Sequence, residues 1–272
     1  MANRNYSSYQ LVHLTKLRTN GLNSLLVCDG VGVGKTISAG YALYHMSQVE
    51  RKPSLVVCPP ILVEKWRFEL KHRFDLTTIL ATNKDEFGLM SEELDHRTTT
   101  NDVPIYITTY SLLSREYKLP KVSLGLTVFD EVHTIRNSET KAYPNAKALA
   151  ANSEYRLALS ATPINNSISD LASILSVILP QLDFDGTNDF LDDYWNSPLM
   201  DSISSVVTRF NKEQISDQFT QRNIHTVSLE YPDHYMTWVN KQIEHRSDEY
   251  ESNSAFRNVV YYRLAASSPG AF

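Results

Sequence analysis

Short runs of apolar and β-branched residues alternate along the chain with longer stretches in which apolar residues recur at helical spacing. Apolar runs without polar alternation are typical of strands buried on both faces, and helical stretches between them are typical of crossover connections. The pattern therefore predicts an α/β fold, with a parallel sheet covered by helices on both faces. The predicted strands are LLVCD, SLVVC, PIYITTY, LTVFDE and YRLALSAT, and the predicted helices include ISAGYALYHMSQV and LVEKWRFELKHRF.

The last third of the chain lacks this alternation. Residues 181–272 are acidic and rich in Asn, Asp and Ser, and we expect them to be mostly helical. We predict an α/β domain over residues 1–180, followed by a helical extension over residues 181–272. Because ligands of open α/β sheets lie at the carboxyl ends of the strands, the turns after the predicted strands should meet at one crevice.

The composition indicates a globular protein that stays inside the cell. The chain has 272 residues, of which 42% are hydrophobic, and this is enough to bury a full core. Its N-terminus, MANRNYSSYQ, lacks the apolar segment of a secretory signal, and its longest apolar run, at residues 171–179, is too short to span a membrane. Cys28 and Cys58 each end an apolar run, which predicts buried thiols rather than a disulfide framework. We expect an intracellular location, cytoplasmic or nucleoid-associated, or nuclear in a eukaryote, and no membrane partner.

The charge of the chain is unevenly distributed. The net charge is −5, yet residues 1–73 hold ten Lys or Arg and four Asp or Glu, whereas residues 181–272 hold seven and fourteen. A basic face that attracts phosphates and chance variation of a solvated surface account for this difference equally well.

A glycine-rich loop follows the first predicted strand and opens a predicted helix. Glycines allow backbone N–H groups to turn around a phosphate, Lys35 can neutralise the β and γ phosphates, and the Thr36 hydroxyl can ligate Mg²⁺. A dinucleotide-binding loop would carry glycine where Lys35 stands, and a flexible glycine turn is the remaining alternative. The strict triphosphate pattern would carry glycine where Asp29 stands. The loop predicts a site for ATP and Mg²⁺ formed by Asp29, Gly30, Gly32, Val33, Gly34, Lys35 and Thr36.

Two adjacent acids, Asp130 and Glu131, end the predicted strand LTVFDE. Side chains alternate along a strand, so the two acids can take different roles. Asp130 can hold Mg²⁺, and Glu131 can polarise the water that attacks the γ-phosphate. Ser160 and Thr162 follow the next predicted strand, and their hydroxyl groups could hydrogen-bond these acids. We assign catalysis to Lys35, Asp130 and Glu131.

Together these motifs resemble the first motor lobe of superfamily-two helicases, and specifically the Swi/Snf family of double-stranded DNA translocases. The resemblance is close over residues 7–180. SLVVCPPILVEKWRFEL resembles the family's motif Ia, LTVFDEVHTIRNSETKAYPNAKAL resembles its DEAH box with the following segment, and RLALSATPINNSISDLASILSVILP resembles its motif III. The resemblance implies a RecA-like P-loop NTPase lobe.

The resemblance also assigns roles to single residues. Gln10 lies where the family keeps a glutamine that recognises adenine, and Asp29 lies where the family carries an acidic residue in its loop. Ser160, Thr162 and His133 would couple nucleotide state to movement. Contacts to nucleic-acid phosphates would come from Pro60, Lys65, Thr109 and Ser111.

The implied function is the ATP-binding half of a DNA-dependent ATPase that steps along double-stranded DNA by its phosphate backbone. ATP hydrolysis to ADP and phosphate would require a second lobe of the same polypeptide, which supplies an arginine finger and which we expect beyond Phe272. Residues 1–272 alone would then be weak or inactive. The alternatives are a lobe of an RNA or restriction-complex helicase, or a standalone nucleotide-gated binding module.

Overall fold

The computed structural model describes residues 8–96, 103–115, 123–135, 140–162, 168–181, 204–210, 234–235 and 237–241. The chain divides into two compact units, Met1–Phe219 and Thr220–Phe272. The sheet and the motifs singled out above belong to the first unit.

Within the described residues, seven strands form one sheet in the order β3-β4-β2-β5-β6-β1-β7, and every pairing is parallel. Strands β1, β2, β4 and β5 are buried at every position, which agrees with the continuous apolar runs that predicted them. The strands are β1 Ser24–Val27, β2 Ser54–Cys58, β3 Thr78–Leu80, β4 Ile105–Thr109, β5 Leu124–Asp130, β6 Ser153–Leu159 and β7 Val207–Thr208.

Helices connect these strands and cover the sheet. A π-helical stretch, His45–Glu50, continues α2, and short 3₁₀ turns occupy Pro60–Leu62 and Val132–Ile135. No helix within the described residues is long and apolar enough to cross a membrane. The helices are α1 Ser8–Thr19, α2 Lys35–Tyr44, α3 Val63–Phe74, α4 Lys84–His96, α5 Tyr110–Leu113, α6 Ala142–Ala151 and α7 Ile168–Ile178.

Two hydrophobic clusters lie on opposite faces of the sheet, because successive strand residues point to opposite sides. Leu25 and Val27 of β1 belong to the cluster that contains apolar residues of α1, α2 and α3. Leu26, between them, belongs to the cluster that contains apolar residues of α4, α5, α6 and α7. The predicted parallel α/β sheet between helical layers is therefore confirmed.

The edge strand β7 comes from the segment that we expected to be a helical extension. Leu26 pairs with Val207 and Val27 with Thr208, so the chain after residue 180 adds a strand to the sheet. The first compact unit accordingly extends to Phe219, past the boundary that we expected after residue 180. A strand of two residues is too short to show a periodicity in the sequence.

Few residues of the second unit are described. Residues 234–235 and 237–241 are helical, and the rings of Tyr235 and Trp238 stack at a centroid distance of 6.0 Å. Trp238 is 44% exposed. Most of residues 181–272 lie outside the described residues, and their helical character stays a prediction.

Candidate active site

The glycine-rich loop leaves β1 and ends where α2 begins, at Lys35. Gly32 and Gly34 adopt left-handed backbone conformations, with φ of 81° and 101°. A Cβ atom on Gly34 would lie 2.7 Å from Nε2 of Gln10, which is far inside van der Waals contact. The backbone conformation therefore favours glycine at position 34, while the end of the Gln10 side chain would have to move aside for a Cβ atom.

The first half of the loop is tied to the edge of the sheet. The backbone N–H of Cys28 donates to the carbonyl oxygen of Thr208 at 2.7 Å, and that of Gly30 donates to the carbonyl oxygen of Phe210 at 3.1 Å. In return, the backbone N–H of Phe210 donates to Oδ1 of Asp29 at 2.8 Å. Asp29, the departure from the strict loop pattern, thus fastens the loop to the residues after β7.

Helix α1 packs against the same part of the loop through His13. Its Nε2 lies 3.4 Å from Oδ2 of Asp29, and both side chains are buried. Its Nδ1 lies 3.0 Å from the hydroxyl oxygen of Ser38 in α2, and its ring makes an edge contact with Phe210. His13 therefore joins α1, α2 and the loop at one buried point that the sequence did not single out.

Gln10 lies beside the loop and its side-chain amide is partly engaged. Its Nε2 donates to the hydroxyl of Tyr9 at 3.4 Å, and that hydroxyl donates to the carbonyl oxygen of Val33. Burial raises the pKa of Tyr9. Gln10 is itself buried, and its side-chain amide lies next to Gly34.

Lys35 points back onto its own loop. Its Nζ donates to the carbonyl oxygens of Asp29 at 2.9 Å and Gly30 at 3.4 Å. Both acceptors are neutral carbonyl groups, so these two bonds do not compensate the positive charge of the ammonium group. The charge is available to an anion at the start of α2, where the helix dipole also favours negative charge.

Asp130 ends β5 and is only 7% exposed. The indole Nε1 of Trp66 donates to Oδ2 of Asp130 at 2.7 Å, and the backbone N–H of Glu131 donates to Oδ1 at 2.9 Å. Burial raises the pKa of Asp130, while the bond from Trp66 opposes this rise. These two donors stabilise the ionised carboxylate that a divalent cation needs.

Glu131 has a left-handed backbone, with φ of 49°, an uncommon conformation for a residue with a side chain. Its Oε2 lies 3.2 Å from Nδ1 of His133, and the same nitrogen lies 3.4 Å from the hydroxyl oxygen of Ser160. The backbone N–H of Thr162 donates to Ser160 at 3.2 Å. We expected the hydroxyl groups after β6 to bond the acids; in the structure Ser160 contacts His133, which contacts Glu131.

One cleft with a volume of about 280 Å³ brings the loop and the acid pair together. From α3 and the turn before it come Leu62, Lys65 and Glu69, of which the sequence suggested only Lys65, and for another role. Four predicted nucleotide ligands, Gln10, Asp29, Gly30 and Val33, do not line this cleft. The lining residues are Val31, Gly32, Gly34, Lys35, Thr36, Ile37, Leu62, Lys65, Glu69, Asp130, Glu131 and Ala161.

The lining of the cleft fits a magnesium nucleotide. The left-handed glycines and the start of α2 suit phosphate oxygens, and Lys35 supplies the countercharge. Among the described residues there is no cluster of three or more His, Cys, Asp or Glu side chains suited to a metal ion. Mg²⁺ is commonly held by one or two protein oxygens together with substrate phosphates and waters. Thr36 and Asp130 suit that kind of site.

Three of the predicted nucleic-acid contacts lie together at the carboxyl ends of β2 and β4. Pro60 and Ser111 line two depressions there, one of which also includes Thr109. The hydroxyl oxygens of Thr109 and Ser111 lie 2.9 Å apart. The fourth residue, Lys65, instead lines the cleft between the glycine-rich loop and the acid pair. The sequence could not show this, since helical spacing alone does not tell which face of α3 turns toward the loop.

The SNF2-related domain family matches residues 6–264 of the chain. The chain belongs to this family. The resemblance to Swi/Snf proteins that the motifs suggested is thereby confirmed, and it extends beyond residue 180.

Two curated relatives are much longer than the part of them that this chain matches. The chain is 30% identical over 209 residues to the TATA-binding protein-associated factor BTAF1 of Arabidopsis thaliana, and this alignment covers 70% of the chain and 10% of that protein. The chain is 28% identical over 190 residues to Protein CHROMATIN REMODELING 19 of the same plant, and this alignment covers 64% of the chain and 25% of that protein. The chain thus spans a quarter or less of the length of either relative.

A solved structure has the same fold. The Sulfolobus solfataricus SWI2/SNF2 ATPase core, solved in complex with double-stranded DNA, matches with a TM-score of 0.63 and 24% identity, over 98% of this chain and 59% of that chain. At this identity the likeness establishes the fold, which is that of the RecA-like SWI2/SNF2 ATPase core.

Proposed function

We propose that this SNF2-related domain binds Mg·ATP as the first lobe of a DNA-stimulated ATPase that moves along double-stranded DNA. The observation that carries the proposal is the single cleft that Lys35, Thr36, Asp130 and Glu131 share. A lysine, a hydroxyl group and two carboxylates around one cleft are among the groups that phosphoryl transfer from a triphosphate uses.

Each of these side chains has a role in the proposed reaction. Lys35 binds the β and γ phosphates, while Thr36 and Asp130 hold Mg²⁺. When bound, the metal ion neutralises charge that develops on the transferred phosphoryl group. Glu131 orients the attacking water and accepts its proton, and His133, 3.2 Å from the carboxylate of Glu131, holds that side chain in place.

We further propose that hydrolysis needs a second lobe. No arginine is among the described residues that line the cleft. An arginine finger stabilises charge in the transition state and contributes roughly 10³ to 10⁵ in rate where it has been measured. Residues 1–272 should therefore bind the nucleotide but turn it over slowly, and lobe closure should complete the site.

The proposed nucleic-acid surface is the region around Pro60, Thr109 and Ser111. Hydroxyl groups and backbone N–H groups at such turns bind phosphates without reading the sequence of the bases. The duplex bound to the Sulfolobus solfataricus core supports duplex DNA as the partner. An intracellular setting, cytoplasmic, nucleoid-associated or nuclear, follows from this proposal.

Two alternative functions remain distinct hypotheses. In the first, the chain is a lobe of an RNA or restriction-complex helicase. In the second, the domain is a standalone binding module that is gated by nucleotide but does not hydrolyse it. Both alternatives keep the same Mg·ATP site and differ in what binding achieves.

ATP turnover by the protein that contains this chain separates these functions. Turnover should rise many-fold with duplex DNA, less with single strands or RNA, and should be lost in Glu131→Gln while nucleotide binding persists. Stimulation by RNA or single strands but not by duplex DNA would favour the first alternative. A protein that binds Mg·ATP but has no stimulated turnover would favour the second.

A further inference from the structure

Two buried aromatic side chains converge on Asp130. The indole Nε1 of Trp66 donates to its carboxylate Oδ2 at 2.7 Å, and the hydroxyl of Tyr110 donates to its backbone carbonyl oxygen at 2.8 Å. The backbone N–H of Glu131 occupies the other carboxylate oxygen at 2.9 Å. Both the side chain and the main chain of Asp130 are therefore fixed by donors from outside β5.

These bonds lie in the interior, where hydrogen bonds are less weakened by water. Trp66 is 1% exposed and Tyr110 is 3% exposed. An indole N–H can only donate, so Trp66 favours one orientation of the carboxylate with an unprotonated Oδ2. A carboxylate has about four lone-pair sites, and two donors leave room for a metal ion or its water.

The two aromatic residues come from different crossovers of the sheet. Trp66 lies on α3, just after the turn that contains Pro60, and Tyr110 starts α5, directly after Thr109. Pro60 and Thr109 line the surface proposed for nucleic acid. The metal carboxylate is thus held by the two segments that form that surface, although 64 residues separate Trp66 from Asp130.

From this arrangement we infer that Trp66 and Tyr110 are positioning residues that set Asp130 for Mg²⁺. The inference rests on the proposed Mg·ATP site, because it assigns Asp130 to the metal. Removing either hydrogen bond lets Asp130 rotate or shift. Mg²⁺ then increases the affinity for nucleotide by a smaller factor than in the wild type, while contacts between the phosphates and the loop stay intact.

Calorimetric titration with ADP, in Mg²⁺ and in EDTA, tests this inference without any catalytic readout. Trp66→Phe keeps an aromatic ring but removes the donor, and should reduce the Mg²⁺-dependent gain in ADP affinity about tenfold, as expected for one bond to a charged group. Tyr110→Phe removes one oxygen and should reduce the gain about threefold. Affinity in EDTA should not change in either variant.

Trp238→Phe and Tyr44→Phe are the matched controls, since both residues are substantially exposed. If Mg²⁺ increases the ADP affinity of both Trp66→Phe and Tyr110→Phe as much as that of the wild type, the inference is overturned. An equal loss of ADP affinity with and without Mg²⁺ would also overturn it, because that result indicates general disruption. If Trp66→Phe fails to fold, as its far-UV circular dichroism would reveal, Tyr110→Phe decides alone. A wild-type chain that binds no ADP at all would instead refute the proposed nucleotide site.

Discussion

Oδ1 of Asp29 accepts a hydrogen bond from the backbone N–H of Phe210 at 2.8 Å, across 181 residues of sequence. This bond and the one from the N–H of Gly30 to the carbonyl oxygen of Phe210 connect the residues after β7 to the first half of the phosphate loop. Asp29 is buried and does not line the nucleotide cleft. Its carboxylate therefore acts on the architecture of the loop rather than on a phosphate.

Asp29→Ala should lower the free energy of unfolding by about 1–3 kcal/mol, because it leaves the partly buried N–H of Phe210 without its acceptor. Asp29→Asn keeps a carbonyl oxygen and should lose less. Denaturant titrations of the two variants beside wild type measure the difference. Equal stability of Asp29→Ala and wild type would mean that the bond to Phe210 does not hold this edge.

Gly34→Ala should abolish tight nucleotide binding. A residue with a side chain rarely adopts a φ of 101°, so the substitution should shift the loop backbone and its phosphate-facing N–H groups. Gly88→Ala, in α4, is the control, since a Cβ atom there meets nothing within 4 Å. It should be neutral or stabilise the fold by up to about 1 kcal/mol. Titration of Mg·ADP into both variants checks this, and unchanged affinity of Gly34→Ala would contradict the loop geometry.

The two thiols should be unreactive in the native protein. Burial raises the pKa of Cys28 and of Cys58 to about 12 in each case. At pH 8 such a thiol is ionised to about 1 part in 10⁴, whereas an ordinary thiol of pKa about 8.5 is about one quarter ionised. Because the thiolate is the nucleophile, an aromatic disulfide reagent should label neither residue until guanidinium unfolds the chain. Rapid labelling of the native protein would contradict their burial.

The sequence predicts the central strands and the candidate catalytic groups because both have local signals. Residues 55–58 of β2 are apolar without interruption, and Lys35 and Thr36 follow glycines at fixed spacing after a strand. Asp130 and Glu131 are identified in the same way, by their place at the end of a buried strand. Such features depend on neighbours in sequence, so they can be read without the fold.

Features that depend on distant contacts could not be read in this way. Val207 and its β-branched neighbours are too few to mark an edge strand, since the partner Leu26 is far away in the chain. Lys65 and Glu69 share a helix face at a spacing of four, but only the packing of α3 turns that face toward the loop. The bond from Trp66 to Asp130 likewise exists only once β2 and β5 are paired.

Binding of Mg·ATP to wild-type protein and to Lys35→Ala, measured by calorimetry, tests the central claim most directly. The matched control is Lys71→Ala, which removes an exposed lysine paired with Asp75 outside the cleft. Loss of the charged donor at the phosphates should weaken binding about 100-fold in Lys35→Ala, while Lys71→Ala binds as wild type does. Equal affinity of Lys35→Ala and wild type would contradict the assignment of this loop to ATP.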